Sequence, residues 1–326
     1  MSSIINIQSA FPQTIRQSFR LQNTIAQSVS LCGFGFWTSE DVTLQFRPGR
    51  INSGIVFIRS DIDGSPSVPA LVEYREEKPR QTSLVNAALS SGAVRVDMVE
   101  HLLAAVKALR IDNLEIWTDR PEMPGFDGSS RFFFDALKEA GIAEQPAFRP
   151  LRVVTESFRI GDSTHYIAVS PHPHGLNSYR YSLVPEAGYP LEAQDYRFDL
   201  SPSNFDWELA DSRTFVAKSE ADHLSANGLC RRVTPKDVLV LSENGPVENT
   251  FRYKEECARH KVLDMVGDFS LTNCDIAGTI ESYRGGHSLN ADCLREIVRR
   301  SMLLTDEYVS QYNEIFCCKE KRLKVA

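Results

Sequence analysis

The stretch VDMVEHLLAAVKALRI, residues 96–111, marks where the hydrophobic period of the chain changes. Met98, Leu102, Ala105 and Leu109 form one stripe with Val99, Leu103 and Val106 beside it, the spacing of a helix. The residues before it follow another rule. From Gln27 to Ile58 apolar residues alternate or form short runs (VSLCGFGFW, VTLQF, GIVFI), with turns at PGR and DIDGSP. That is the pattern of strands and hairpins. After the stretch come a strand, LEIWT, and a second helix, RFFFDALKEAGI, closed by Gly141. The first half therefore runs strands, helix, strand, helix.

A proline-containing break, EQPAFRPLR (144–152), follows, and then the order recurs. Strands are expected in RVVTESFRI, HYIAVSP, YRYSLV and DVLVL, a helix over CARHKVLDMVGD (257–268), a strand in IAGTIESYRG and a closing helix in NADCLREIVRRSMLL. We expect an α+β fold of two similar domains, each a β-sheet layer packed on a helix layer. Their bounds are 20–147 and 148–326, with 1–19 as a flexible N-terminal extension. No glycine-rich strand-to-helix turn supports a dinucleotide-binding βαβ unit.

The 326 residues are 42% hydrophobic and 24% charged, as in a globular protein with a real core. No apolar run approaches the ~18 residues of a membrane span. A net charge of −7 argues against nucleic acid as a partner, since that requires a basic footprint. The basic C-terminal KEKRLK reads as a solvated tail. Seven cysteines without a C-x-x-C pair, Cys317 and Cys318 adjacent near the end, do not make a disulfide framework and fit a reducing compartment. We expect a cytoplasmic monomer. The first acidic residue is Glu40, but the N-terminus lacks the apolar core of a secretory signal.

Seven histidines limit the search for chemistry. His165 lies in a strand-like run and His223 in a polar helical stretch, with nothing convergent around either. His172 and His174 sit in a Pro-rich turn. His101 follows Glu100, and its helical neighbours Asp97, Ala104 and Ala108 would let another element approach closely. His260, Asp264 and Asp268 recur at four-residue steps and so share one helix face. Such a stripe is either ordinary solvated surface or half of a metal site. His287 stands in RGGHSLN, where two glycines let the backbone bring an imidazole close to a ligand. Two histidines, a carboxylate and an open position are the usual pattern of catalytic zinc, which also needs a general base and a group to meet the tetrahedral intermediate.

The blocks VEHLLAAVKALRIDN, DGS, RTF, RHKVLDMVGD and GGHSLN occur in this order, and together they resemble the UDP-3-O-acyl-N-acetylglucosamine deacetylases, zinc amidases at the committed step of lipid A synthesis. The resemblance runs from about Leu21 to beyond Leu294. It implies that His101, His260 and Asp264 bind Zn2+ and that Glu100 is the general base toward the attacking water. It further implies that His287 is the general acid or electrostatic stabiliser, oriented by Asp268. Thr214 would help stabilise the oxyanion, Phe215 line the sugar site, and Lys261 and Arg284 bring positive charge to the acylated UDP-sugar substrate. The active site is then expected between the two domains. Acetate would leave after water attacks the polarised carbonyl.

The sequence departs from the family pattern in places. Arg284 replaces a common lysine, PGFDGS a more aliphatic block, and Ser83 a common threonine. GLCRRVTPKD stands where small residues usually enclose the acyl chain, so a different or shorter acyl preference is expected. Two other readings remain open. One is a paralogous zinc deacetylase of another N-acetylated sugar nucleotide, and the other is an inactive binding homologue. Retention of all five residue types His101, His260, Asp264, Glu100 and His287 argues against the last.

Overall fold

The computed structural model describes residues 19–89 and 92–305. The rest of the expected N-terminal extension, the Cys317–Cys318 pair and the basic tail lie outside them. The first half contains β1 (Leu21–Ile25), β2 (Val29–Phe34), β3 (Asp41–Pro48), β4 (Ile55–Arg59) and β5 (Ser67–Pro69). Three short strands follow, β6 (Arg75–Glu76), β7 (Ser83–Asn86) and β8 (Val94–Val96), then α1 (Glu100–Ala108), β9 (Leu114–Thr118), α2 (Arg131–Glu139) and β10 (Ile142–Phe148).

The second half begins with β11 (Leu151–Val153), β12 (Phe158–Gly161), β13 (Tyr166–Ser170), β14 (Asn177–Leu183) and β15 (Gln194–Asp199). Next come β16 (Phe215–Ala217), α3 (Lys218–Ala226), β17 (Leu239–Ser242) and β18 (Gly245–Pro246). The half closes with α4 (Glu256–Phe269), β19 (Asp275–Tyr283), α5 (His287–Arg300) and β20 (Met302–Leu304).

The two halves share one sheet topology. In the first, β2 pairs with β3, β3 antiparallel with β9, β9 parallel with β4, and β4 with β5. In the second, β12, β13, β19, β14 and β15 repeat this order and these senses, and β11 and β20 extend the sheet. The central strands β9 and β19 each follow a helix, α1 or α4, and precede another, α2 or α5. Each half also carries an insert at the same station, between its fifth sheet strand and that first helix. It is β6–β8 in one half and β16–β18 with α3 in the other.

Every residue of α1 is buried, and α4 exposes only Arg259 and Lys261 in part. Leu102, Leu103 and Val106 of α1 and Val262, Leu263 and Val266 of α4 join a single hydrophobic core with residues of both sheets. A buried charge network also ties the halves. Arg20 Nη1 reaches Asp112 at 2.6 Å and its Nε reaches Asp275 at 2.8 Å. Lys107 Nζ donates to Asp275 at 2.8 Å, and Arg149 Nε lies 3.0 Å from Asp112. In such a network each charge is held by its partners, and removing one strands the others.

Several boundaries differ from expectation. The first helix starts at Glu100 rather than Val96, because Met98 takes a left-handed φ of 57° and Asp97 bridges to Glu122. The break at 144–152 is mostly strand: β10 pairs with β1, and β11 follows after Arg149–Pro150. RVVTESFRI divides into β11 and β12, which sit at different places in the sheet. The closing helix runs His287–Arg300, and Met302–Leu304 leaves it to pair with β11. Phe19, the last residue of the expected extension, packs on Leu151, Val153, Ala277 and Leu304.

Candidate active site

The site is built where α1 crosses α4, and one glycine permits the crossing. A Cβ on Gly267 would lie 2.1 Å from the carbonyl oxygen of Glu100 and 3.0 Å from its Cα. These are backbone atoms of the opposite helix, so they cannot move aside without shifting α1. Replacing Gly267 by alanine is therefore expected to cost about 1–3 kcal/mol or more through overpacking, read as a fall in Tm and weaker metal retention. Unchanged Tm and metal content would contradict the close packing.

The crossing brings His101 of α1 to His260 and Asp264 of α4. The two imidazoles meet edge to face with ring centroids 4.9 Å apart. Asp264 Oδ1 lies 3.5 Å from His101 Nε2 and 3.3 Å from His260 Nε2. All three side chains are buried, and one donor atom from each lies within 4.8 Å of the others. His260 Nδ1 faces the Ser212 carbonyl at 3.0 Å. A carbonyl only accepts, so Nδ1 carries the proton and Nε2 presents its lone pair. Burial, with His101 and Lys261 nearby, pushes the His260 pKa down to about 3 against the pull of Asp264 and keeps the ring neutral.

Asp264 Oδ1 has no hydrogen-bond donor, whereas Oδ2 accepts from Lys261 Nζ at 2.7 Å. Burial opposes its charge, but His260, Lys261, His101 and His287 hold the carboxyl well below the usual range. His260 Nε2, Asp264 Oδ1 and His101 Nε2 thus converge on one point. A tetrahedral shell with bonds of about 2.0–2.1 Å sets its donors roughly 3.3 Å apart, close to the spacings found. The residues fit a metal ion.

Around this cluster lie two acid–base groups. Glu100 opens α1 and is buried, and its Oε2 accepts the backbone N–H of Thr82 at 2.9 Å. Burial raises its pKa, with the nearby His287 opposing. His287 is the first residue of α5, and its Nδ1 donates to Asp268 Oδ2 at 2.8 Å. Burial works against the imidazolium, but Asp268, Asp264 and Glu100 outweigh it and push the pKa up to about 9. Asp268 also accepts from Thr82 Oγ1 at 2.5 Å and Asn290 Nδ2 at 2.8 Å. The His260–Asp264–Asp268 stripe therefore points inward. It is not solvated surface.

These groups face a cavity of about 980 Å3. Its lining includes Glu100, His101, His260, Asp264 and His287, along with Thr214, Phe215, Lys261 and Arg284. All but Asp268 of the residues singled out by sequence thus border it, and Asp268 stands behind His287. Phe215 meets the His260 ring edge to face at 6.4 Å between centroids. Arg284 pairs with Glu186 at 3.2 Å. His165 also lines the cavity, which sequence spacing did not reveal because β13 reaches it only through pairing with β19. Two further residues went unnoticed, Thr82 in QTSL and Arg213 in RTF. Arg213 is buried, and its Nε and Nη2 grip Glu256 at 2.8 and 3.1 Å, fixing the strand entry that carries Thr214 to the start of α4.

A metal-donor triad with a buried carboxylate and an imidazole–carboxylate pair at the head of a large cavity is the equipment of a metal-assisted hydrolase. The family model of the UDP-3-O-acyl N-acetylglycosamine deacetylases (LpxC) matches residues 22–299, and the chain belongs to this family. It is an enzyme of the deacetylase class. The UDP-3-O-acyl-N-acetylglucosamine deacetylase of Glaesserella parasuis serovar 5 is 33% identical over 281 residues, 85% of this chain and 90% of its own length. That of Myxococcus xanthus is 33% identical over 286 residues, 87% and 88% of the two chains. That of Psychrobacter sp. is 30% identical over 277 residues, 85% and 91%.

Proposed function

We propose that this deacetylase hydrolyses the N-acetyl group of UDP-3-O-acyl-N-acetylglucosamine, releasing acetate at the committed step of lipid A biosynthesis. The supporting observation is the His101–His260–Asp264 cluster facing the cavity between Glu100 and the His287–Asp268 pair. In this reading those three residues hold Zn2+, which when bound supplies Lewis-acid polarisation of the amide carbonyl. Glu100 takes the proton of the attacking water. His287, protonated at neutral pH, meets the developing charge and protonates the leaving nitrogen, while Asp268 holds its ring. The Thr214 hydroxyl donates toward the oxyanion, Phe215 lines the sugar site, and Lys261 and Arg284 place positive charge near the diphosphate.

The protein works in this reading as a cytoplasmic monomer of two α+β domains, 20–147 and 148–326, without a nucleic-acid partner. Among the described residues no helix is long and apolar enough to cross a membrane. The test is acetate release by zinc-replete protein from the acylated sugar nucleotide and from its counterpart lacking the acyl chain. Turnover of the first well ahead of the second supports the reading, and no release from the acylated substrate refutes it.

Acyl length is the second question for that assay. Cys230, Arg231, Val233 and Pro235 line the cavity, whereas Arg232 turns outward to Asp41 Oδ1 at 2.6 Å with its guanidinium 4.3 Å from the Phe34 ring. Each buried methylene contributes about 0.8 kcal/mol, so a passage shortened here makes the gain in kcat/KM flatten at short chains. A steep rise that continues through long chains would contradict this expectation.

A further inference from the structure

Thr82 is buried at 1% exposure and is absent from the cavity lining, yet it touches both acid–base groups. Its backbone N–H donates to Glu100 Oε2 at 2.9 Å. Its hydroxyl donates to Asp268 Oδ1 at 2.5 Å and lies 3.3 Å from His287 Nδ1. Its carbonyl accepts the N–H of Val99, the residue before α1, at 3.2 Å. The hydroxyl has one proton, and the shorter contact, to the carboxylate oxygen, claims it. Asp268 then has Oδ1 occupied and turns Oδ2 to His287 Nδ1, which leaves Nε2 as the nitrogen facing the cavity. One covalent unit thus grips the carboxylate on α1 through its backbone and the imidazole–carboxylate pair on α4 and α5 through its side chain. A β-branched residue is suited to this, since its χ1 is stiff.

We propose that Thr82 is a positioning residue that registers Glu100 against the Asp268–His287 pair, so that proton uptake and delivery occur at fixed places around one amide. The inference rests on the functional reading above and adds a residue and a role to it. Thr82→Val removes the hydroxyl and keeps shape and backbone, whereas Thr82→Ser retains the hydroxyl. For Thr82→Val, kcat should fall about 10–100-fold, as for other partners that orient catalytic groups, with KM within about twofold and zinc content unchanged. Thr82→Ser should restore most of the loss. A wild-type kcat in Thr82→Val, or loss of zinc together with kcat, would overturn the proposal.

A second readout does not use turnover. The downfield Nδ1–H resonance of His287, followed by NMR with and without metal, should move or exchange away in Thr82→Val and return in Thr82→Ser. An unmoved resonance overturns the proposal. Should Thr82→Val fail to fold, a tenfold or greater loss of kcat in Thr82→Ser overturns it, and near-wild-type kcat supports it. If the wild-type enzyme releases no acetate from the acylated substrate, the functional reading fails, and the resonance alone decides the role of Thr82.

Discussion

Dialysis against a chelator is expected to abolish acetate release, and about one equivalent of Zn2+ per chain to restore it. The expectation follows from a donor set that is complete and otherwise unused. His260 already spends Nδ1 on Ser212, Asp264 spends Oδ2 on Lys261, and the remaining lone pairs converge with His101 Nε2. Asp264→Ala should have a matching effect, because it deletes a donor and leaves Lys261 without its carboxylate partner. Metal content by elemental analysis and acetate by a coupled assay are the measurements. Full activity in demonstrably metal-free protein would sink the assignment.

Glu100→Gln is expected to lower kcat roughly 10²–10⁴-fold, the range for loss of a general base, while leaving metal content near wild type. The glutamine oxygen can still accept the Thr82 N–H, so the packing survives and only the capacity to take a proton goes. Glu100 also stands outside the three-donor cluster. His287→Ala should follow the same pattern, since Asp268 keeps Thr82 and Asn290 as partners. Loss of zinc in either variant would make that residue a ligand and reverse the division of roles.

The helix α4 and its stripe were legible because four-residue spacing fixes a common face whatever surrounds it. The fold class was legible for the same reason, as period two and period three-to-four are local signals. What stayed hidden depends on partners far along the chain. Met98 satisfies the helical stripe, but the bridge from Asp97 to Glu122 delays the helix to Glu100. Thr82 lies 186 residues from Asp268, and Arg20 lies 255 from Asp275. No periodicity reports such contacts. His165 is held in its turn by Asp162 and Thr164, and only the pairing of the adjoining β13 with β19 brings that turn to the cavity.

The repeated topology makes α1 and α4 counterparts, one helix at the same station in each half. The candidate metal donors therefore sit as they would at the interface of an isologous dimer whose two subunits had been joined end to end. Fusion frees such a pair from the obligation to be identical. In the proposed mechanism one helix gives one donor and the base, and the other gives two donors and the carboxylate behind the acid. The inserts at matching stations differ likewise: the β6–β8 insert bonds Glu100 and Asp268 through Thr82, and β16–β18 with α3 walls the cavity. A chain cut between β10 and β11 would leave neither piece with a complete site.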